Sequence, residues 1–595
     1  MRMSNILVLV AFCAACAKPA TPCKTAPTSA GLSTVAVAPV APKQRGLPAH
    51  DPGQAGVAVG THGAVASAEG NASRVGLGIL KRGGNAVDAA IAVAFALAVT
   101  HPSAGNLGGG GFMLVRMADG SATAIDYRET APAAATQDMY LDKDGNVGHD
   151  SLVGARAAGV PGTVAGMALA YKRFGHLPWA ELLAPAVALA RDGHAPDGAH
   201  LAELTEGVEA MRKAGFEDSA RAYLGADGKA LQAGELWRQP ELAATLGSIA
   251  TQGPRAFYEG ALAEALAGGI QKLGGLWTVD DLRNYTAVER TPISFAYRGH
   301  EILSMPPPSS GGIVLRQILG ASELLDLQSL PWRSIDALHL YVEAARRAFA
   351  DRSELLGDPD FVKVPTATLT SMDYIRERMK NIDRNHATPS TSITGGSLPP
   401  ESSQTTHFSI VDDLGNAVSN TYTLNESFGA RLVIPGTGVL LNDEMDDFAA
   451  KPGAANSYGL VQSARNAIAP GKRMLSSMTP TIVTKDGELR AIVGSPGGPT
   501  IINTVAQILL AIIDHDRPLD EAIRAPRLHH QWKPDRISVE AAFEPELEAG
   551  LRALGHEVVH REDIGHANCI EVDPATKGFR AVADVARRGG EAVAY

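Results

Sequence analysis

His386 to Gln404 reads HATPSTSITGGSLPPESSQ, and it runs without a break into Thr405 to Val411, TTHFSIV. The first stretch is polar, rich in Pro, Gly, Ser and Thr and almost uncharged, so it cannot bury enough apolar surface to fold by itself. The second is a strand pattern; Asp412 to Asn416 makes a turn and Ala417 to Leu424 returns as a second strand. A threonine at such a junction has an available chemistry. It can attack the carbonyl that precedes it, here that of Gln404, shift the acyl group from nitrogen to oxygen, and be released by water. The freed α-amine, with an unperturbed pKa of about 7.7–8.0, is then a general base for the same hydroxyl. From spacing alone the signal is weak, since most threonines that open a strand are structural.

Working outward, Thr481 to Thr484 and Leu489 to Gly494 read as a further hairpin closed by Lys485-Asp486-Gly487, and Ile501 to Asp514 as a buried helix. Upstream, Val57 to Val59 and Ala64 to Ser67 look like short strands. Asn85 caps an Ala-rich helix over Ala86 to Thr100 that Pro102 stops. This helix is apolar almost all round, which suits a protein interior. Phe112 to Met117 and Ala122 to Tyr127 read as paired strands around Asp119-Gly120, and the chain from about Val160 to Ala350 as mostly helical, interrupted at Pro306 to Gly312. Strands with apolar runs, bracketed by helices, indicate α/β layers with sheet between helices.

The first 17 residues carry an address. Arg2 precedes an apolar stretch, Ile6 to Ala15, that is too short for a bilayer span of about 20 residues and has the shape of a secretory signal. Cleavage after Ala17 fits the small-residue rule, and Cys16 behind Ala14-Ala15 is an alternative lipoprotein processing site. Residues 18–55 are rich in Ala, Pro, Thr and Val without apolar periodicity, as an extended tether is. The expected location is outside the cytoplasm, either free in the periplasm or medium or held on a membrane by a lipid at Cys16.

With 595 residues, 45% of them hydrophobic and 20% charged, the chain can bury at least one large core. Its 53 Lys+Arg against 64 Asp+Glu leave a net charge of −11, with no basic run to track phosphates, so nucleic acid is excluded as a partner. Three of the four cysteines (Cys13, Cys16, Cys23) lie in the first two dozen residues and only Cys569 in the body, which excludes a disulfide framework. No G-x-S-x-G, H-E-x-x-H or Walker A pattern occurs. Gly108 to Gly111 reads as a site of close backbone packing. His529-His530 reads as structural, since adjacent side chains diverge on a helix or a strand. No metal or cofactor is assigned.

Several motifs in order give the resemblance. Thr405-Thr406-His407-Phe408-Ser409, Thr423-Leu424-Asn425, Asn442 to Phe448 (NDEMDDF), Leu475-Ser476-Ser477-Met478 and Gly494 to Gly498 (GSPGG), with Gly105 to Phe112 (GNLGGGGF) and Asp126-Tyr127-Arg128-Glu129 upstream, resemble the signature series of the γ-glutamyltransferases. The similarity runs from about residue 56 to the C-terminus. It implies an N-terminal nucleophile hydrolase with a four-layer αββα sandwich, cut between Gln404 and Thr405 into a large subunit, 56–404, and a small catalytic subunit, 405–595, interlocked as one body.

Carried over by position, the resemblance makes Thr405 the nucleophile, with its freed amine as base, and Thr423 its orienting partner. Gly497 and Gly498 supply backbone N–H groups to the oxyanion, and Pro499, lacking an N–H, cannot add a third. Arg128 binds the α-carboxylate of a γ-glutamyl donor, helped by Ser476 and Ser477; Asn425, Glu444 and Asp447 bind its α-ammonium. Lys451 to Gly459 (KPGAANSYG) resembles a lid in which Tyr458 closes over the site. Read in isolation, Asp443 to Asp447 is instead a solvated acidic turn and Arg128 a surface ion-pair residue. The implied donor is glutathione or another γ-glutamyl amide; water or an amino acid or peptide is the acceptor. Two alternatives stand: an acylase of the same fold for glutaryl- or cephalosporin-type donors, which the acidic Glu444 and Asp447 disfavour, and a non-catalytic γ-glutamyl-binding surface protein.

Overall fold

The computed structural model describes residues 56–394, 404–451 and 463–595. The leader with Cys16, the tether, and the lid residue Tyr458 lie outside the described residues.

Nine strands are labelled in chain order: β1 Val57–Gly60, β2 Gly63–Ser67, β3 Gly110–Arg116, β4 Ala122–Asp126, β5 Val288–Arg290, β6 Ile293–Tyr297, β7 His300–Ser304, β8 Gln404–Asp412 and β9 Ala417–Asn425. Among the described residues two seven-stranded sheets form. The first has the order Glu591–Ala594, β2, β8, β9, β3, β4, β5. The second has the order β1, Phe579–Ala583, Asn568–Val572, Glu488–Val493, Thr481–Lys485, β7, β6.

Strand periodicity assigns the faces. Val65, Met113, Val115, Phe408, Ile410 and Val418 point to one side of the first sheet, into a core shared with helices α1 (Gly70–Lys81), α2 (Ala86–Thr100) and α3 (Thr163–Phe174). Their alternating neighbours Ala64, Ala66, Phe112, Leu114 and Val411 point the other way, into a core with Ile482, Ile492 and Ile570 of the second sheet. Beyond that sheet lie the Gly311–Leu325, Ile335–Leu355 and Thr500–Leu509 helices. The layers are therefore α, β, β, α, as the resemblance implies.

Helix α2 follows its sequence reading. All fifteen residues are buried, and Asn85 with Asp88 forms a capping box. Buried Asp88 is satisfied by that box and by the amides of His176 (2.9 Å) and Leu177 (3.2 Å). No helix among the described residues is long and apolar enough to cross a membrane. The Asp119-Gly120 hairpin, the β8–β9 pair and the Thr481–Glu488 hairpin form where the sequence puts them.

β1 and β2 form where the sequence puts them and lie in different sheets; the chain crosses between the sheets there, and β1 joins Phe579–Ala583 while β2 joins β8. Two features differ. The stretch from Val160 to Ala350 is not helical throughout, because β5, β6 and β7 lie within it. Ile293-Ser-Phe-Ala-Tyr297 alternates buried and exposed, a period-two signal too short to stand out between long helices. The helix predicted to reach Asp514 is α-helical only over Thr500–Leu509 and widens to a π turn over Leu510–Asp514.

Segments from both sides of the Gln404–Thr405 bond alternate within each sheet. β8 and β9 are held between β2 and β3, and the Thr481–Lys485 strand pairs with β7. Described segments from before and after that bond therefore share both sheets.

Candidate active site

Antiparallel order brings the signature motifs to one edge of the sandwich. In the first sheet that edge carries the start of β8, the end of β9, the start of β3 and the end of β4, which hold Thr405, Thr423, Gly110 and Asp126 just before Arg128. In the second it carries the end of Glu488–Val493, leading into the 494–498 turn, and the start of Thr481–Lys485, which follows the 475–478 segment.

Thr405 sits at a break in register. Gln404 pairs with Asn425 and Thr406 with Tyr422, so β9 uses one more residue than β8 across this step, and Thr405 opposes Thr423 and Leu424. Along β8 and β9, Ser409 and Ser419 reach across to the carbonyls of Asn568 (2.8 Å) and Val493 (3.3 Å) in the second sheet. By the two-residue period Thr405 and Thr423 fall on that same face. Thr405 is buried. The Thr423 Oγ1 accepts from the Asn425 amide at 2.9 Å, and its carbonyl accepts from Asn106 Nδ2 at 2.8 Å. Here the glycine run acts as a packing device: a Cβ on Gly109 would lie 2.1 Å from the Thr423 carbonyl oxygen.

Gly494 packs on the ring of His407, two residues along β8 from Thr405. Burial pushes the His407 imidazole down to about 3, so it is neutral; its ring nitrogens bond Thr421 Oγ1 (2.8 Å) and Ser409 Oγ (3.1 Å). The turn that follows has φ of +128° at Gly497 and +56° at Gly498, and Pro499 then caps the Thr500–Leu509 helix. Only glycine adopts such backbone readily. A Cβ on Gly497 would also meet Thr500 Oγ1 at 2.3 Å. Two amides at a helix N-terminus are what an oxyanion needs.

Arg128 is buried with three carboxylates. Its Nη1 stands 2.6 Å from Glu444 Oε2 and 3.6 Å from Glu129 Oε2, and Nη2 donates to Asp447 Oδ2. Its backbone is fixed too, the amide donating to Asp126 Oδ1 (3.0 Å) and the carbonyl accepting from Tyr285 OH (2.8 Å). Burial works against the guanidinium charge, but Glu444, Asp447 and Glu129 outweigh it and raise its pKa. Burial raises all three acids against the pull of Arg128, Glu129 to about 8. Arg128 Nη1, both Glu444 oxygens, both Glu129 oxygens and Ser477 Oγ have no aligned hydrogen-bond partner among the described residues. Such buried capacity suits a polar ligand that carries both charges.

Asp443 to Asp447 is therefore not a solvated turn. Glu444–Asp447 forms a buried 3₁₀ turn, anchored by Met445 and Phe448 in an apolar cluster with Tyr140, Ile468 and Met474. Arg128 is likewise no surface residue. Asn425, at φ +82°, donates from Nδ2 to the Asp443 carbonyl at 3.1 Å. Ser476 Oγ accepts from the Met478 amide at 3.2 Å, and its carbonyl accepts from the Ser310 amide and hydroxyl, both at 2.7 Å.

Two participants escape sequence reasoning. Glu129 adds a third carboxylate to the Arg128 cluster. Arg352 donates from Nε to Ser310 Oγ at 2.7 Å; burial pulls it down to about 9, with Asp447 opposing. Arg352 sits in the Ile335–Leu355 helix with no local mark of its burial, and the Ser309-Ser310 pair in the 306–312 interruption was the available signal of a contact there.

A threonine opening an inner strand of a four-layer αββα sandwich, opposite a glycine turn at a helix N-terminus, defines the N-terminal nucleophile hydrolase class. The family model described as Gamma-glutamyltranspeptidase matches residues 72–595, and the chain belongs to that family. It is 50% identical over 515 residues to the glutathione hydrolase proenzyme of Escherichia coli (strain K12), covering 86% of this chain and 88% of that protein. The solved cephalosporin acylase from Bacillus halodurans is similar with a TM-score of 0.79 at 28% identity, over 92% of this chain and 98% of that one. Helicobacter pylori γ-glutamyltranspeptidase gives 0.53 at 40% identity, over 60% of this chain and 97% of that one. The chain is an enzyme, a γ-glutamyltransferase or hydrolase. A fold shared with an acylase does not by itself select the donor.

Proposed function

We propose that the chain cuts itself between Gln404 and Thr405 and that Thr405 then passes the γ-glutamyl group of glutathione, or of another γ-glutamyl amide, to water or to the amino group of an amino acid or peptide. In this reading Thr405 Oγ adds to the γ-carbonyl carbon while the α-amine takes the hydroxyl proton. The amides of Gly497 and Gly498 hold the oxyanion, and the amine returns the proton to the leaving nitrogen as the C–N bond breaks. Water or an amine then opens the ester by the reverse proton path. Thr423 orients the nucleophile. Arg128, with Ser476 and Ser477, takes the donor's α-carboxylate, and Asn425, Glu444 and Asp447 take its α-ammonium, so that charge at one end of the donor positions the other. Tyr458 is assigned as the lid.

The observation that carries this reading is the buried Arg128–Glu444–Asp447 cluster with unmet hydrogen-bonding capacity. A zwitterion offers a carboxylate to the guanidinium and an ammonium to the acids at once. A glutaryl donor would leave the acids unanswered, which disfavours the acylase alternative. The names of the relatives support glutathione as donor. The leader pattern supports export to the periplasm or medium, with lipidation of Cys16 as the membrane-anchored variant, and the cut products are assigned as a heterodimer.

The test is intact mass and N-terminal sequencing of the protein expressed from about residue 50. Two fragments are expected, the smaller beginning at Thr405, and Thr405→Ala should give one uncut, inactive chain. Two normal fragments with activity from Thr405→Ala would remove the nucleophile assignment.

A further inference from the structure

We infer that His101, His200 and Glu203 form a binding site for a divalent transition-metal cation of the zinc type. His101 caps the C-terminus of α2, while His200 and Glu203 share one face of the Gly198–Lys213 helix, three residues apart. One potential ligand atom from each of the three lies within 4.8 Å of the others. His101 Nδ1 stands 3.5 Å from Glu203 Oε2, and the two imidazole rings meet edge to face with centroids 4.9 Å apart. Metal–ligand bonds of about 2.1 Å at tetrahedral angles separate neighbouring ligand atoms by about 3.4 Å, so closing the site needs side-chain adjustments of about 1 Å.

The surroundings are those of a ligand set. His200 Nδ1 bonds Asp197 Oδ1 at 2.8 Å, the carboxylate–histidine arrangement that orients a metal-binding imidazole. That bond leaves Nε2, which is buried and has no hydrogen-bond partner among the described residues. Ser103 Oγ donates to Glu203 Oε2 at 2.8 Å and steadies the carboxylate. Two nitrogens and one carboxylate oxygen with an open fourth position suit zinc, or cobalt as its probe.

The other histidine–acid cluster lacks these properties. His339 Nδ1 and His556 Nε2 bond each other at 2.8 Å, and Glu343 is already engaged by Arg346 and Arg347. A cation at the His200 site would instead tie the Gly198–Lys213 helix to the turn after α2. That turn continues into the glycine run beneath Thr423.

The experiment uses untagged protein, chelator-stripped and titrated with Zn²⁺ and Co²⁺ against a competing chelator, with thermal unfolding followed in parallel. One equivalent is expected, with the visible absorption of four-coordinate Co²⁺ and a zinc-dependent rise in Tm. His200→Ala and His101→Ala should each weaken binding by at least about 100-fold and Asp197→Asn by about 10–100-fold. Glu203→Gln, at a partly exposed position, keeps the shape of the site and should abolish the zinc-dependent rise in Tm. No bound equivalent in the parent protein, unchanged affinity in His200→Ala or Glu203→Gln, or loss only on His339→Ala would overturn the site.

Discussion

Replacing Arg128 by Met separates what the guanidinium does for the fold from what it does for a donor. The substitution keeps the volume of the side-chain stem but leaves Glu444 and Asp447, both in direct contact with Arg128, buried without their cation. Removing one partner of a buried ion pair costs about 3–5 kcal/mol. That cost should depend on pH. The acids already titrate above their ordinary range because of burial, Glu129 at about 8, and without the guanidinium they rise further. An acid whose pKa is raised in the folded state stabilises that state below the unfolded value, roughly 4 to 4.5, and loses that stability as pH rises towards the folded value. The destabilisation of Arg128→Met should therefore be small at pH 5 and grow as pH rises through the parent's folded values, about 8 for Glu129, where its acids ionise beside the guanidinium and the variant's stay protonated. Urea midpoints of the uncut chain, measured on a Thr405→Ala background at both pH values, would read it. Glu444→Gln added to Arg128→Met should recover part of the stability at pH 8. In the self-cleaved background, Arg128→Met should weaken a chromogenic γ-glutamyl anilide by about 2–5 kcal/mol, roughly 30- to 4,000-fold in KM, and Glu444→Gln should restore none of it. Equal destabilisation at pH 5 and pH 8, or an unchanged KM, would refute the account of the cluster as a charge-balanced donor site.

Gly497→Ala adds a Cβ 2.3 Å from Thr500 Oγ1 at a φ of +128°, so the turn must move; kcat should fall by about 10²–10³-fold with KM little changed, also when paired with Thr500→Ala to relieve the clash. A kcat within twofold of the parent would take the oxyanion site elsewhere. His407, at about 3 against an ordinary 6.5, is a base held neutral by burial, so its contribution is present above pH 6.5 and lost as pH falls from there towards 3. The stability of His407→Asn should fall less steeply than the parent's across that window, by up to about 1.4 kcal/mol per pH unit, and parallel urea profiles would contradict the buried neutral imidazole.

The β8–β9 pair was legible in the sequence because a disordered-type composition stops abruptly at Thr405, and α2 because Asn85 and Pro102 mark its ends. Thr405 facing Thr423 was open only to resemblance, since the register break that sets the two side by side is a property of two strands together. β5–β7 were obscured because five-residue alternation is a weak signal beside 15-residue helices. The charge cluster misled for a different reason. Glu444 and Asp447 carry no local mark of burial, and Arg128, which makes their burial tolerable, lies more than 300 residues away in sequence. Arg352 was hidden in the same way, its contact with Ser310 being set by how the Ile335–Leu355 helix lies on the second sheet.

Because strands from before and after Gln404–Thr405 alternate in both sheets, neither piece retains a complete sheet without the other. Before the cut, every such pairing closes a loop within one molecule. If the chain is cut there as proposed, refolding from denaturant would become a bimolecular search whose yield depends on protein dilution. The mature enzyme would then persist by the slowness of its opening rather than by its ability to reassemble. Self-cleavage in this architecture would be a one-way commitment, in which the folding information would stay in the connected precursor and the cut form would keep only its result.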